Sequence, residues 1–241
     1  MGIAYGVLTK ELFVGRALIT FSVFTLLPVV YLALRKEKDW GKILCSIVIF
    51  GILFAVIFDF FEEYTAAWHT VSLVFPFKLF GIDPIDNIFA HIEMTLLTIV
   101  FYQHFIDDGQ SPGISKRIFL AIALSLCGLI GLLLLYSYFP TLLQIKYSYA
   151  YMGTLASAFP ILLVFRKPSL VKNMLSTSTY FFILYFCIEI VAVRNTFWMY
   201  SGSYLGWIHV LGVSFPFEEL FFWMMLYAIC IVSYYEVFIK R

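Results

Sequence analysis

Seven stretches of about twenty largely apolar residues recur along this chain, and they leave lipid as the one solvent in which it can fold. A hydrocarbon core about 30 Å thick takes roughly 20 residues of helix. Lipid offers the backbone no hydrogen-bond partners, so each span must satisfy its own N–H and C=O groups. The windows predict spans at 12–34, 43–61, 86–106, 117–139, 147–165, 176–194 and 215–238. The fold class is therefore an all-α polytopic membrane protein with the lipid bilayer as its partner. Composition agrees, with 62% hydrophobic residues, 13% charged residues and a mean hydropathy of +0.93. A soluble domain carries about 25% charged residues. The first apolar run is long for a cleavable signal, and no soluble domain is expected. The net charge of +1 gives no field that would attract nucleic acid. Cys45, Cys127, Cys187 and Cys230 are widely spaced within or beside apolar runs, so they read as buried thiols rather than a disulfide or metal framework.

Basic residues then set an orientation. Arg35, Lys36, Lys38, Lys42, Lys116, Arg117, Arg166, Lys167, Lys172, Lys240 and Arg241 fall on one side, against Lys10, Arg16, Lys78, Lys146 and Arg194 on the other. The expectation is an integral cell (inner or plasma) membrane protein with its N-terminus outside and its C-terminus cytoplasmic. The connections after spans two and six then lie on the outer side.

Those two connections repeat one another. Asp59 and Trp68 recur as Glu189 and Trp198 at an offset of 130, and Gly81 recurs as Gly212 at 131. Pro84, Asp86 and Phe89 recur as Pro216, Glu218 and Phe221 at 132. Spans one to three thus match spans five to seven, and span four joins them. One intervening span keeps both copies in the same orientation, as parallel repeats. The expected division is 1–110 for the first three-helix copy, 111–145 for the linking helix and 146–241 for the second copy.

In each copy a proline precedes an acid by two residues at the start of the third helix. Proline suits a first turn, and a carboxylate there is favoured by the helix dipole. Capping alone explains one such acid. It explains less well an acid that recurs in both copies among Phe215, Phe217, Phe221, Phe222 and Trp223, at a membrane boundary where unpaired charge is costly. Adjacent carboxyl groups such as Glu218 and Glu219 cannot both ionise cheaply in an apolar site, so one stays a proton donor. Aromatic faces stabilise a cation. A proton donor, such rings and an oily chamber suit protonation of an alkene.

The pattern acid, Trp, Gly and Pro-x-Glu-Glu-x-x-Phe-Phe, carried twice among short spans, resembles the small integral-membrane lycopene cyclases, in their form with two fused repeats. The segment Phe215-Pro216-Phe217-Glu218-Glu219-Leu220-Phe221-Phe222 carries most of the likeness. The resemblance implies carotenoid biosynthesis: a non-redox isomerisation in which the ψ-end of lycopene or a related acyclic carotene is protonated and closes to a β-ring. It implies Glu218 or Glu219 as general acid, with Asp86 as counterpart in the first copy. Trp198, Trp68, Phe221 and Phe89 would shield the cation, and Glu189 and Asp59 would be supporting acids. No cofactor and no metal are implied. A homo-oligomer or a complex with other carotenoid enzymes fits the resemblance. The first copy departs from the pattern, because Asp86-Asn87 stands where the family has Glu-Glu. Asn87 cannot donate a proton to an alkene.

Other readings rest on single residues. His91 suits a hydrogen-bonded structural role, and His69 and His104 join it as metal candidates by composition only. Glu62 and Glu63 suit a solvated helix end or a pocket mouth. Arg194 is placed to pair with an acid of the motif. Tyr136, Tyr138, Tyr147, Tyr149 and Trp207 read as interfacial anchors. A rhodopsin-like pigment needs a lysine within span seven, where the sequence has none before Lys240. A prenyltransferase needs more aspartates than Asp83 and Asp86. No dinucleotide fingerprint is present. The alternative to the enzyme is a non-catalytic membrane carotenoid- or lipid-binding or assembly protein of the same fold.

Overall fold

The computed structural model describes residues 16–107, 109 and 113–241. Lys10 and residues 12–15 of the first expected span lie outside the described residues. Helices run in the order α1 Ala17–Ala33, α2 Trp40–Tyr64, α3 Ile85–Phe105, α4 Ile118–Tyr138, α5 Ser148–Arg166, α6 Val171–Arg194 and α7 Glu219–Ile239. Among the described residues, six of these are long and apolar enough to cross a bilayer, and α1 is the shorter seventh at 17 residues. The protein is an all-α polytopic membrane fold. Two parallel three-helix units, α1–α3 and α5–α7, are joined by α4. Only Ile118, Ala121 and Leu132 of α4 are buried, so that helix presents its apolar surface outward.

The connections after α2 and α6 contain two-residue to four-residue strands: β1 His69–Thr70, β2 Lys78–Leu79, β3 Asp83–Pro84, β4 Trp198–Met199, β5 Trp207–Val210 and β6 Val213–Pro216. β2 pairs with β3, and β5 pairs with β6. These two hairpins occupy equivalent places, each leading into the third helix of its unit. Pro84 and Pro216 therefore end strands rather than sitting inside the first helical turn as expected. The hairpin also explains why α7 starts at Glu219, later than the expected 215.

Backbone strain repeats as faithfully as the sequence does. Ala66 and Thr196 share φ values of 58° and 56°, Phe80 and Leu211 of 52° and 50°, and Gly81 and Gly212 of 75° and 76°. Only the glycines adopt this region cheaply. β1 pairs antiparallel with β4, aligning His69 with Met199. Those two residues are themselves equivalent, so the axis relating the units passes through their pair. At the opposite end, the equivalent rings of Tyr102 and Tyr235 meet edge to face at 5.7 Å. The offset there is 133 rather than 132, because α7 widens into π-type turns over Glu219–Leu226 and gains a residue.

Lys36 donates to the Gln103 carbonyl, Asn173 lies 3.5 Å from the Tyr102 hydroxyl, and Lys240 pairs with Asp107. These contacts gather the basic connections at one end of the bundle. Cys127 and Cys187 are exposed on the apolar exterior and only Cys230 is fully buried, which corrects the reading of all four as buried thiols. The apolar windows that hold them face lipid rather than protein.

α2 and α3 cross closely because position 51 is glycine. A Cβ there would sit 2.9 Å from the Ile92 Cα. Gly51→Ala should destabilise the protein by about 1–3 kcal/mol, the range for overpacking. Thermal unfolding in detergent checks this, and an unchanged midpoint contradicts it.

Candidate functional site

A cavity of about 110 Å3 lies between the two units. It runs from Trp68, Trp198 and Glu219 at the loop end to Phe50 and Cys230 near mid-bundle. Its loop end is closed by crossed contacts between the units. The Val71 and Ser72 amides donate to the Phe197 carbonyl at 2.8 and 3.2 Å. The Ser201 hydroxyl donates to the Ala66 carbonyl at 2.8 Å, and the Tyr204 hydroxyl donates to the Ala67 carbonyl.

The two adjacent glutamates point to different places. Glu218 is fully buried, and its Oε1 accepts the Leu205 amide at 2.6 Å, outside the cavity. Its first-unit equivalent, Asp86, accepts the amides of Val74 and Phe75 at 2.5 and 3.0 Å. Both acids therefore tie the outer loop to the start of the third helix, although Asp86 also borders the cavity. Glu219, one residue later, lines the cavity and accepts a hydrogen bond from the Tyr149 hydroxyl. Asn87 is its equivalent. It also lines the cavity, bonded to the Thr70 hydroxyl at 2.8 Å and to Asp83 at 3.3 Å.

Aromatic rings surround Glu219. Tyr149 contacts Phe58 and Phe222 with centroids 6.5 Å apart in each case. Phe58, Phe222 and Trp223 are part of the cavity wall. Gly153 of α5 makes room for one of these rings, since a Cβ there would lie 2.3 Å from Phe222. Trp68 and Trp198 line the wall. Phe89 and Phe221 do not; they are exposed on the other face, at 41% and 37%. Phe222, the neighbour of Phe221, faces inward instead.

The supporting acids also differ. Glu189 is fully buried and accepts the Tyr200 hydroxyl at 2.8 Å, while the Trp198 indole donates to Tyr200 at 3.1 Å. Burial and then the Glu189 carboxyl push the Tyr200 phenol up, so it stays a donor. Asp59 instead lies 3.1 Å from His91 Nε2, and His91 Nδ1 lies 2.6 Å from the Tyr227 hydroxyl. His91 thus has two hydrogen-bond partners.

Several other expectations are corrected. Glu62 and Glu63 are buried, not a solvated helix end; Glu62 accepts from Ser148, and Glu63 meets His69 and the Thr70 amide. Tyr149 is buried against Glu219 rather than anchoring at the interface. Arg194 donates to the Leu211 carbonyl at 2.7 Å and not to an acid of the motif. Glu93, the carboxyl seven residues after Asp86, is held by Ser22 and Thr25 of α1 at 2.7 and 2.6 Å. Among the described residues no cluster of three or more His, Cys, Asp or Glu side chains is placed to hold a metal. Tyr149, Tyr200, His91 and Tyr227 carried no sequence signal of a site beyond their residue type.

No family model, curated protein or solved structure matches this chain.

Asp83 gives the site a measurable pH dependence. Burial, then the Asp59 carboxyl, push it up to about 9. In the unfolded chain an aspartate ionises near 4. Between those values the folded state holds a proton that the unfolded state has lost, so stability falls as pH rises. The unfolding midpoint should decline between about pH 5 and pH 9, and Asp83→Asn should flatten that decline. An identical slope in the variant contradicts the assignment.

Proposed function

We propose that this protein cyclises the end of an acyclic carotenoid by proton transfer, with Glu219 as the general acid. The observation that supports the reading is the divergence of the adjacent glutamates. Glu218 is used by the loop, whereas Glu219 alone of the pair faces an apolar, aromatic-walled cavity. In its acid form Glu219 carries a proton into that cavity. Tyr149 donates to the carboxyl and fixes its place in the cavity wall. Phe222, Trp223 and Trp198 are placed to spread a developing cation over their ring faces. Electrostatic stabilisation of this kind is strongest in a dry site.

The cavity is small beside ordinary ligand pockets of roughly 300–1,000 Å3. It suits one end of a long polyene, with the remainder of the chain lying in lipid. The first unit, with Asn87 in place of an acid, holds and shapes rather than protonates. Asp86 and Glu218 have the same positioning role in the two loops. By the positive-inside rule the basic end of the bundle lies in the cytoplasm, so the cavity, roofed by the loops, sits toward the outer leaflet of the cell membrane.

The test is expression in cells that accumulate lycopene, followed by pigment analysis. Monocyclic or bicyclic carotenes are expected. Glu219→Gln should lower their yield at least a hundredfold, in line with loss of a general acid. Unchanged lycopene beside membrane-inserted wild-type protein overturns the enzyme reading in favour of a carotenoid or lipid binder. Full activity in Glu219→Gln overturns the acid assignment.

A further inference from the structure

We propose that Tyr227, backed by His91 and Asp59, takes up the proton that the cyclised cation must lose. This inference rests on the cyclase reading above and adds the second half of its proton balance.

Tyr227 lines the same cavity as Glu219 and lies two turns along the same helix. Its hydroxyl is 2.6 Å from His91 Nδ1, and His91 Nε2 is 3.1 Å from Asp59 Oδ1. The relay takes Asp59 as the acceptor, with Nε2 carrying the ring hydrogen and Nδ1 accepting from Tyr227. The chain is hydroxyl to imidazole to carboxylate, the order in which a base activates a hydroxyl group. Asp59 is fully buried and its Oδ2 has no hydrogen-bond partner in the protein. That leaves the carboxylate with capacity to stabilise an imidazolium beside it.

The arrangement occurs once. In the second unit the residue equivalent to His91 is Trp223, and the equivalent of Asp59, Glu189, holds Trp198 and Tyr200. The proton donor also occurs once, as Glu219. The units have diverged so that the second supplies the acid and the first supplies the groups behind the base.

The steps balance. The Glu219 O–H bond breaks as a C–H bond forms at the terminal alkene. A second double bond attacks the resulting cation and closes the ring. A C–H bond next to the new cationic centre then breaks, and its electron pair becomes the ring double bond. That proton passes to the Tyr227 oxygen while the Tyr227 hydrogen passes to His91 Nδ1, leaving imidazolium beside the Asp59 carboxylate. Exchange with solvent returns a proton to Glu219 and takes one from His91. Tyr227 is the catalytic residue; His91 and Asp59 are positioning residues that act through it.

The experiment supplies an acyclic carotene to membranes containing the protein in D2O, and reads both cyclic product and deuterium in the recovered substrate. Wild type should yield cyclic product. Tyr227→Phe removes a single oxygen and should lower product at least tenfold. Recovered carotene should then gain deuterium at the carbon that Glu219 protonates, because the cation collapses backward. His91→Gln should behave alike, and Glu219→Gln should give neither product nor label. Wild-type product levels in Tyr227→Phe, or lost product without label, overturn the relay while leaving the cyclase reading intact. No product and no label from wild type overturn both.

Discussion

The loop end of this bundle buries Asp59, Glu62, Glu63, Asp83, Asp86, Glu189, Glu218 and Glu219, and the structure around them follows from that burden. Their contacts are hydroxyls, imidazoles, an indole, the Asn87 side-chain amide and backbone amides. A buried carboxyl left without such partners costs several kcal/mol. The short strands and crossed loops exist where those partners must be delivered. Glu218 and Asp86 order the loops that roof the cavity; Glu63 fixes the Thr70 amide next to the strand pair on the pseudo-axis. The site is thus continuous with the device that holds the two units together.

Duplication gave two equivalent positions for each polar group, and divergence then gave them different work. Glu219 faces Asn87 across the repeat, Trp223 replaces His91, and Tyr200 replaces Thr70. The loop-holding acids did not diverge in role, since both units need the same hairpin entry into the third helix. The cavity-facing positions did, with Glu219 in the second unit where the first has Asn87.

The helices, the repeat and the joining role of α4 were legible in the sequence. Apolar windows of span length admit few alternatives, and conserved spacing between acid, Trp, Gly and Pro reports a duplicated loop directly. The choice between Glu218 and Glu219 was not legible. It depends on where the Leu205 amide lies, which is a property of the folded loop. Phe221 and Phe222 are likewise indistinguishable until the packing of α7 sets which ring points inward. Tyr149 looked like an anchor because it sits at a span end, and only the inward tuck of α5 brings it to Glu219. The same holds for His91, whose partners come from α2 and α7.

The central claim is that Glu219 holds a proton in a dry aromatic chamber. Infrared difference spectroscopy of oriented membranes at neutral pH, wild type minus Glu219→Gln, tests it most directly. The account predicts the C=O stretch of a protonated carboxyl, lost in the variant. A difference spectrum showing only carboxylate bands would contradict it.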